Sequence, residues 1–280
     1  MHPVLFHAGP ITLRSYGVLV MCGFLVALWC VMGAARRAQA ARPEGAPPGI
    51  TPEQVFDASL VGLVAGIIGT RVLYVALNWS FYSHNPVAAF QIWNGGLSFI
   101  GAPIFGFGYC AYYCRRHGLS FLDVADMASA GFAVAYAIGR IGCFLNGCCY
   151  GAVCNLPWAV RFHADGHATA LTPPSHPTQI YSALASLAAF AALDAGLKRP
   201  HKRGVLFVGY LLFYAVYRFL VEGLRKGATA EVFRWQLTDA QVFSLVITPI
   251  LLGVLIALIR RSDAAPGSDA TGPGSPPDRS

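Results

Sequence analysis

Residues 16–35 read YGVLVMCGFLVALWCVMGAA, twenty residues without a charged side chain. A helix of that length rises about 30 Å, the thickness of a bilayer's hydrocarbon core. Working outward, comparable apolar runs recur at 56–77, 97–114, 122–145, 179–196, 204–222 and 240–259. Seven such runs predict an all-α integral membrane protein of about seven transmembrane helices. Glycines interrupt the third and fourth runs, where re-entrant backbone is tolerated if it faces protein or water. Composition agrees: 55% of the 280 residues are hydrophobic and 12% charged, against roughly a quarter charged in soluble domains.

Lys and Arg alternate in density along the connecting segments. Arg36, Arg37, Arg42, Arg115, Arg116, Lys198, Arg199, Lys202, Arg203, Arg260 and Arg261 fall in one set of loops, eleven in all. The other set holds five: Arg14, Arg161, Arg225, Lys226 and Arg234. Basic loops stay cytoplasmic, so the N-terminus is expected outside and the C-terminus inside. The opening MHPVLFHAG has neither a basic region nor a small-residue cleavage site, which argues against a removable signal peptide. Residues 1–262 are read as one polytopic membrane domain and 263–280, rich in Pro, Gly and Ser, as a disordered cytoplasmic tail. The net charge of +7 is divided among short loops facing anionic lipid, so no nucleic-acid partner is expected.

Cys22, Cys30, Cys110, Cys114 and Cys143 lie within the apolar runs, where cysteine behaves as a small hydrophobe. Cys148, Cys149 and Cys154 fall near the outer face, where a disulfide is permitted. Zinc on those three with His163 or His167 lacks a recognisable ligand spacing. The expectation is no metal and no cofactor.

An ionisable group inside a span costs at least ~2.5 kcal/mol on insertion scales, so Arg71, Arg140 and Arg218 are functional candidates. Each falls in the outer part of its run. One carboxylate, Glu222, is an obvious partner, four residues after Arg218 on the same helical face. The surplus of guanidinium calls for an anion, and the planar fork of arginine suits phosphate. A phospholipid headgroup in the outer leaflet fits. Tyr214 shares the stripe of Arg218 and Glu222, and Tyr74 shares that of Arg71. The densest signal is GRIGCFLNGCCYG at 139–151, whose glycines allow close backbone approach around Arg140 and Asn146, with Gly151 closing it. Ser98 in GGLSFIG at 95–101, His176 and Tyr181 in HPTQIY at 176–181, and Tyr16 complete an outer-end constellation.

These motifs, together with GTRVLYV at 69–75, YAVYRFLVEGLR at 214–225 and WQLTDAQ at 235–241, resemble the prolipoprotein diacylglyceryl transferase family in identity and order. The resemblance runs from Tyr16 to Gln241. It implies transfer of the sn-1,2-diacylglyceryl group of phosphatidylglycerol to the lipobox cysteine of a secreted precursor at the outer leaflet of a bacterial inner membrane. A thioether forms and glycerol phosphate leaves, with no metal or soluble cofactor implied. Under it, Arg140 and Arg218 bind phosphate, Glu222 orients Arg218, and Tyr16 and Asn146 hydrogen-bond the headgroup. Gly151, Tyr214, Arg71, Ser98 and Tyr181 line the substrate site. The chain departs from the family pattern at Ile100, where many members carry a histidine proposed as base for the thiol, with His176 as the substitute. It also departs at Ser182, where an acidic residue is common, and at Cys143, where others carry asparagine. A transporter for an anionic lipid and a catalytically silent lipid-binding paralogue remain as alternatives. A monomer is the expected state.

Overall fold

The computed structural model describes residues 4–8, 11–45, 49–91, 95–98, 100–163, 171–225 and 237–260, and these residues form eight α-helices. An antiparallel hairpin, β1 (Val4–Ala8) with β2 (Ile11–Arg14), precedes α1 (Ser15–Ala40). The hairpin was not foreseen, because the reading of the apolar runs began at Tyr16. Next come α2 (Pro52–Leu77), the single turn α3 (Trp79–Tyr82), a 3-10 turn (Pro86–Phe90) and α4 (Gly101–Arg116). The chain continues as α5 (Phe121–Asn146), α6 (Thr178–Leu197), α7 (Val205–Gly223) and α8 (Asp239–Arg260).

Among the described residues, six helices are long and apolar enough to cross a membrane. The third expected run yields α4, which at 16 residues rises only about 24 Å. Its start is delayed because Gly95 and Gly96 adopt φ of 81° and 75°, a left-handed backbone that cannot enter a right-handed helix. Start signals are local elsewhere. Thr51 and Gln54 form a capping box that spans Pro52, and the Ser120 hydroxyl accepts from the Asp123 amide at the start of α5. The tail 263–280 lies outside the described residues.

Small residues make the helix contacts. α1 and α5 run antiparallel, and a Cβ built on Gly23 would stand 3.1 Å from the Ala135 carbonyl oxygen. On Gly131 it would stand 2.7 Å from Val31. α2 and α4 touch backbone to backbone at Gly69 and Gly101. This is how helices associate in lipid, where apolar side chains gain little by leaving their solvent. The large side chains point outward accordingly: Leu25, Trp29, Ile67, Val246 and Ile250 are all exposed.

The two ends of the bundle differ. At one, Arg37 and Lys198 both pair with Asp194, at 2.9 and 2.6 Å, and Arg203 pairs with Asp123 at 3.2 Å. Asp126 of α5 is buried there and accepts from the Gly204 and Phe207 amides at 2.6 and 2.7 Å. It caps the first turn of α7 from a neighbouring helix. The start of α1, the ends of α2, α5 and α7 and the starts of α4, α6 and α8 make the other end.

Candidate functional site

The centre of that second end is built by the way α5 stops. Gly147 takes φ 73°, its amide donates to the Phe144 carbonyl, and the Cys148 amide donates to the Cys143 carbonyl at 3.1 Å. That pair of bonds is a Schellman closure, which brings the residue after the glycine back over the helix's last turn. Cys149 then takes φ 63°, the one positive value outside glycine among the described residues. The result gathers the sulfurs of Cys143, Cys148 and Cys149 within 4.8 Å of one another.

The first turn of α6 holds the loop in place. The Thr178 hydroxyl donates to the Cys149 carbonyl at 2.8 Å, and Gln179 Nε2 donates to the Cys148 carbonyl at 2.6 Å. The Gly151 amide donates to the His176 carbonyl and the His176 amide to the Ala152 carbonyl. A Cβ on Gly151 would collide with the Leu224 carbonyl and come within 2.8 Å of His176 and Thr178. Gly151 therefore serves as a packing point between loop, α6 and α7, where the sequence reading placed it at the substrate.

Arg140 stands one turn before Cys143, 8% exposed. Its Nη2 donates to the Ser182 hydroxyl at 3.2 Å, its guanidinium lies 5.6 Å from the Tyr136 ring centre, and its Nε is buried without a hydrogen-bond partner. Ser182 also receives the Tyr217 hydroxyl at 2.7 Å while donating to the Thr178 carbonyl. Tyr214 packs edge-on against Tyr136 at 5.6 Å. On α7, Arg218 pairs with Glu222 at 2.8 Å, and Arg225, just past the helix's end, approaches the same carboxylate at 3.7 Å. Glu222 is 1% exposed. Tyr16 lies over Gly142, and Asn146 is the half-buried last residue of α5. Tyr181 accepts from the Trp158 indole at 2.7 Å and stands 3.4 Å from His176 Nδ1. The Cys149 thiol is held below the ordinary thiol range by the neighbouring Cys143 and Cys148 thiols, helped by the Arg225 and Arg140 guanidiniums, while the Cys148 thiol itself donates to the Cys143 carbonyl at 3.7 Å.

Arg71 is placed differently from the expectation. It is as buried as Arg140, but Nε donates to Ala89, Nη1 to Gly95 and Gly96, and Nη2 to Ala88 and Gln91. Five carbonyls take its five protons, leaving none for a ligand, and Tyr82 and Tyr74 flank it at 5.4 and 5.9 Å. It ties the segment between α2 and α4 to α2. Ser98 is bound into the same segment, its amide donating to the Thr70 carbonyl, and Ile100 is exposed beside it. Arg140, Arg218, Glu222, His176, Tyr181, Tyr214 and Gly151 are thus brought together across α5, α6 and α7 with Tyr16 of α1, whereas Arg71 and Ser98 belong to the α2–α4 unit.

Sequence reading missed Cys143 as a partner of Cys148 and Cys149; the available signal was a helix-ending glycine with cysteine four residues before and one after it. It also missed Gln179, Tyr217 and Arg225. All eight cysteines are unbridged, Cys154 included.

Comparison with known proteins bears on what such a site does. The family described as prolipoprotein diacylglyceryl transferase matches residues 3–259. A Vibrio atlanticus protein named phosphatidylglycerol--prolipoprotein diacylglyceryl transferase is 34% identical over 91% of this chain and 89% of its own length. Proteins of the same name from Aliivibrio salmonicida and Aeromonas hydrophila are 32% and 33% identical, over 92% and 91% of this chain and 86% and 88% of their own.

Proposed function

The chain belongs to the prolipoprotein diacylglyceryl transferase family, and from that premise we propose that it moves the diacylglyceryl group of phosphatidylglycerol to the lipobox cysteine of prolipoproteins. The sulfur attacks the glyceryl carbon, the carbon–oxygen bond to phosphate breaks, and glycerol phosphate leaves.

The observation that carries this reading is Arg140. A buried guanidinium with an unpartnered Nε and one long bond to Ser182 has hydrogen-bonding capacity left for an anion, and charge aimed at a leaving phosphate stabilises the transition state. Arg218, fixed by Glu222, closes the other side of the phosphate. Tyr16, Asn146 and Tyr214 bound the headgroup, Tyr181 with Trp158 forms its outer wall, and His176 receives the proton of the incoming thiol. Arg71 and Ser98 act on substrate through the segment they hold.

The protein sits in a bacterial inner membrane as a monomer, with the Arg140 end toward the outer leaflet and the end bearing Arg37, Lys198 and Arg203 toward the cytoplasm. The unequal distribution of basic residues supports that orientation.

The test is transfer from phosphatidylglycerol labelled in its diacylglyceryl moiety to a lipobox peptide, using purified protein in detergent. Wild type transfers the label, and Arg140→Ala and Arg218→Ala lose it. Folded wild type that binds the lipid but never transfers the label overturns the reading in favour of a silent lipid-binding member.

A further inference from the structure

A sulfur nucleophile must be generated before the glyceryl carbon can be attacked, and Ile100 has no proton-accepting atom. The cysteine cluster supplies another route. Cys143, Cys148 and Cys149 place three sulfurs within 4.8 Å of one another. Tetrahedral zinc, with Zn–S of about 2.3 Å, needs its sulfurs only ~3.8 Å apart, a closure within the reach of small side-chain rotations. Cys143 is buried and the other two are half-buried, so the cluster is anchored on the helix and open on one side.

The surroundings are built to hold it. Cys149 keeps a left-handed backbone that a non-glycine residue seldom adopts. The carbonyls of Cys148 and Cys149 are both fixed by side chains of α6, Gln179 and Thr178, each 0% exposed. Such outer support is characteristic of ligands whose position matters. Gln179 Oε1 is buried there without a hydrogen-bond partner. Arg140 on the preceding turn and Arg225 just after α7 supply positive charge, and three thiolates around Zn2+ carry one net negative charge.

We propose that Cys143, Cys148 and Cys149 hold a Zn2+ ion whose fourth position takes the sulfur of the lipobox cysteine, making it the nucleophile of the transfer. This rests on the reaction proposed above. Coordination to zinc deprotonates a thiol outright, and three protein ligands with one open position is the catalytic form of a zinc site. The substrate S–H loses its proton to His176 and the sulfur binds zinc. Its electron pair then forms the S–C bond as the C–O bond to phosphate breaks, and the phosphate leaves on Arg140, one helical turn (about 5.4 Å) from Cys143. Zinc is neither oxidised nor reduced, and the thioether product, a poorer ligand than a thiolate, dissociates.

The full chain purified from cells supplied with zinc is expected to carry about one Zn2+ by elemental analysis. Cys148→Ser and Cys149→Ser lose it, and Cys154→Ser keeps it. Size-exclusion behaviour in detergent establishes that the variants fold. Replacing zinc with Co2+ gives a second reading that needs no variant. Wild type develops a thiolate-to-cobalt charge-transfer band, and a lipobox peptide shifts the cobalt spectrum while the same peptide with serine for its cysteine does not. Metal-free protein, a disulfide within the cluster, or undiminished transfer after metal removal overturns the zinc site and leaves the transfer reaction standing. Zinc bound and a peptide-dependent cobalt shift, with no transfer from phosphatidylglycerol, sinks the reaction instead.

Discussion

Arg71 and Arg140 are equally buried near helix ends at one face of the bundle, yet their environments make them opposites. Arg71 has a carbonyl for every proton, so Arg71→Lys, which offers three donors from one point, leaves carbonyls unsatisfied at about 1–3 kcal/mol each. The expected result is a lower unfolding temperature in detergent, read by intrinsic fluorescence. Arg140→Lys keeps the charge but loses the fork. Transfer should fall by roughly 10²–10³-fold with an unchanged unfolding temperature, measured in the labelled-lipid assay. Gly151→Ala drives a methyl into the Leu224 carbonyl, and such overpacking costs about 1–3 kcal/mol; thermal unfolding of the purified variant checks it. Arg140 was legible in the sequence because a charge in an apolar run is conspicuous. The saturation of Arg71 was not, since its acceptors are backbone atoms 17 to 25 residues away. Cys143 looked like an apolar filler because nothing in a hydropathy profile shows a helix folding its tail back over itself.

At the level of elements, the end of α5 and the start of α6 form one unit, with Cys148, Cys149 and Gly151 tied to His176, Thr178 and Gln179. At the opposite end of the bundle α7 is joined to α5 through a longer-range device, the Asp126 carboxylate on the first amides of α7. Asp126→Ala leaves the Gly204 and Phe207 amides without that acceptor, at about 1–3 kcal/mol each, and amide exchange should rise in the first turn of α7 before it rises in α5. Helix positions were readable from the apolar runs, whereas the starts capped by Thr51 and Ser120 lie outside those runs and were not read. The role of Asp126 was not readable either, because a carboxylate near a span's end has the same appearance whether it faces solvent or caps a helix 78 residues on.

For the whole molecule, the segregation of basic residues predicts orientation. In intact cells an impermeant maleimide should react with Leu156→Cys, at the Arg140 end, above the level of the native chain, and should not reach Arg199→Cys until the membrane is opened. The reverse pattern inverts the proposed topology. Within the membrane, the α1–α5 contact packs Gly23 against the Ala135 backbone and Gly131 against the Val31 side chain and the Ala27 carbonyl, leaving no gap between the two helices there. That seam is closed to acyl chains. A two-tailed lipid must therefore reach Arg140 along another flank of the bundle, and its product, still embedded by both tails and now tethered to a protein, must drift out sideways as well. Turnover is thereby governed by two-dimensional traffic in the leaflet, so the rate should follow membrane fluidity even where the chemistry at sulfur is fast.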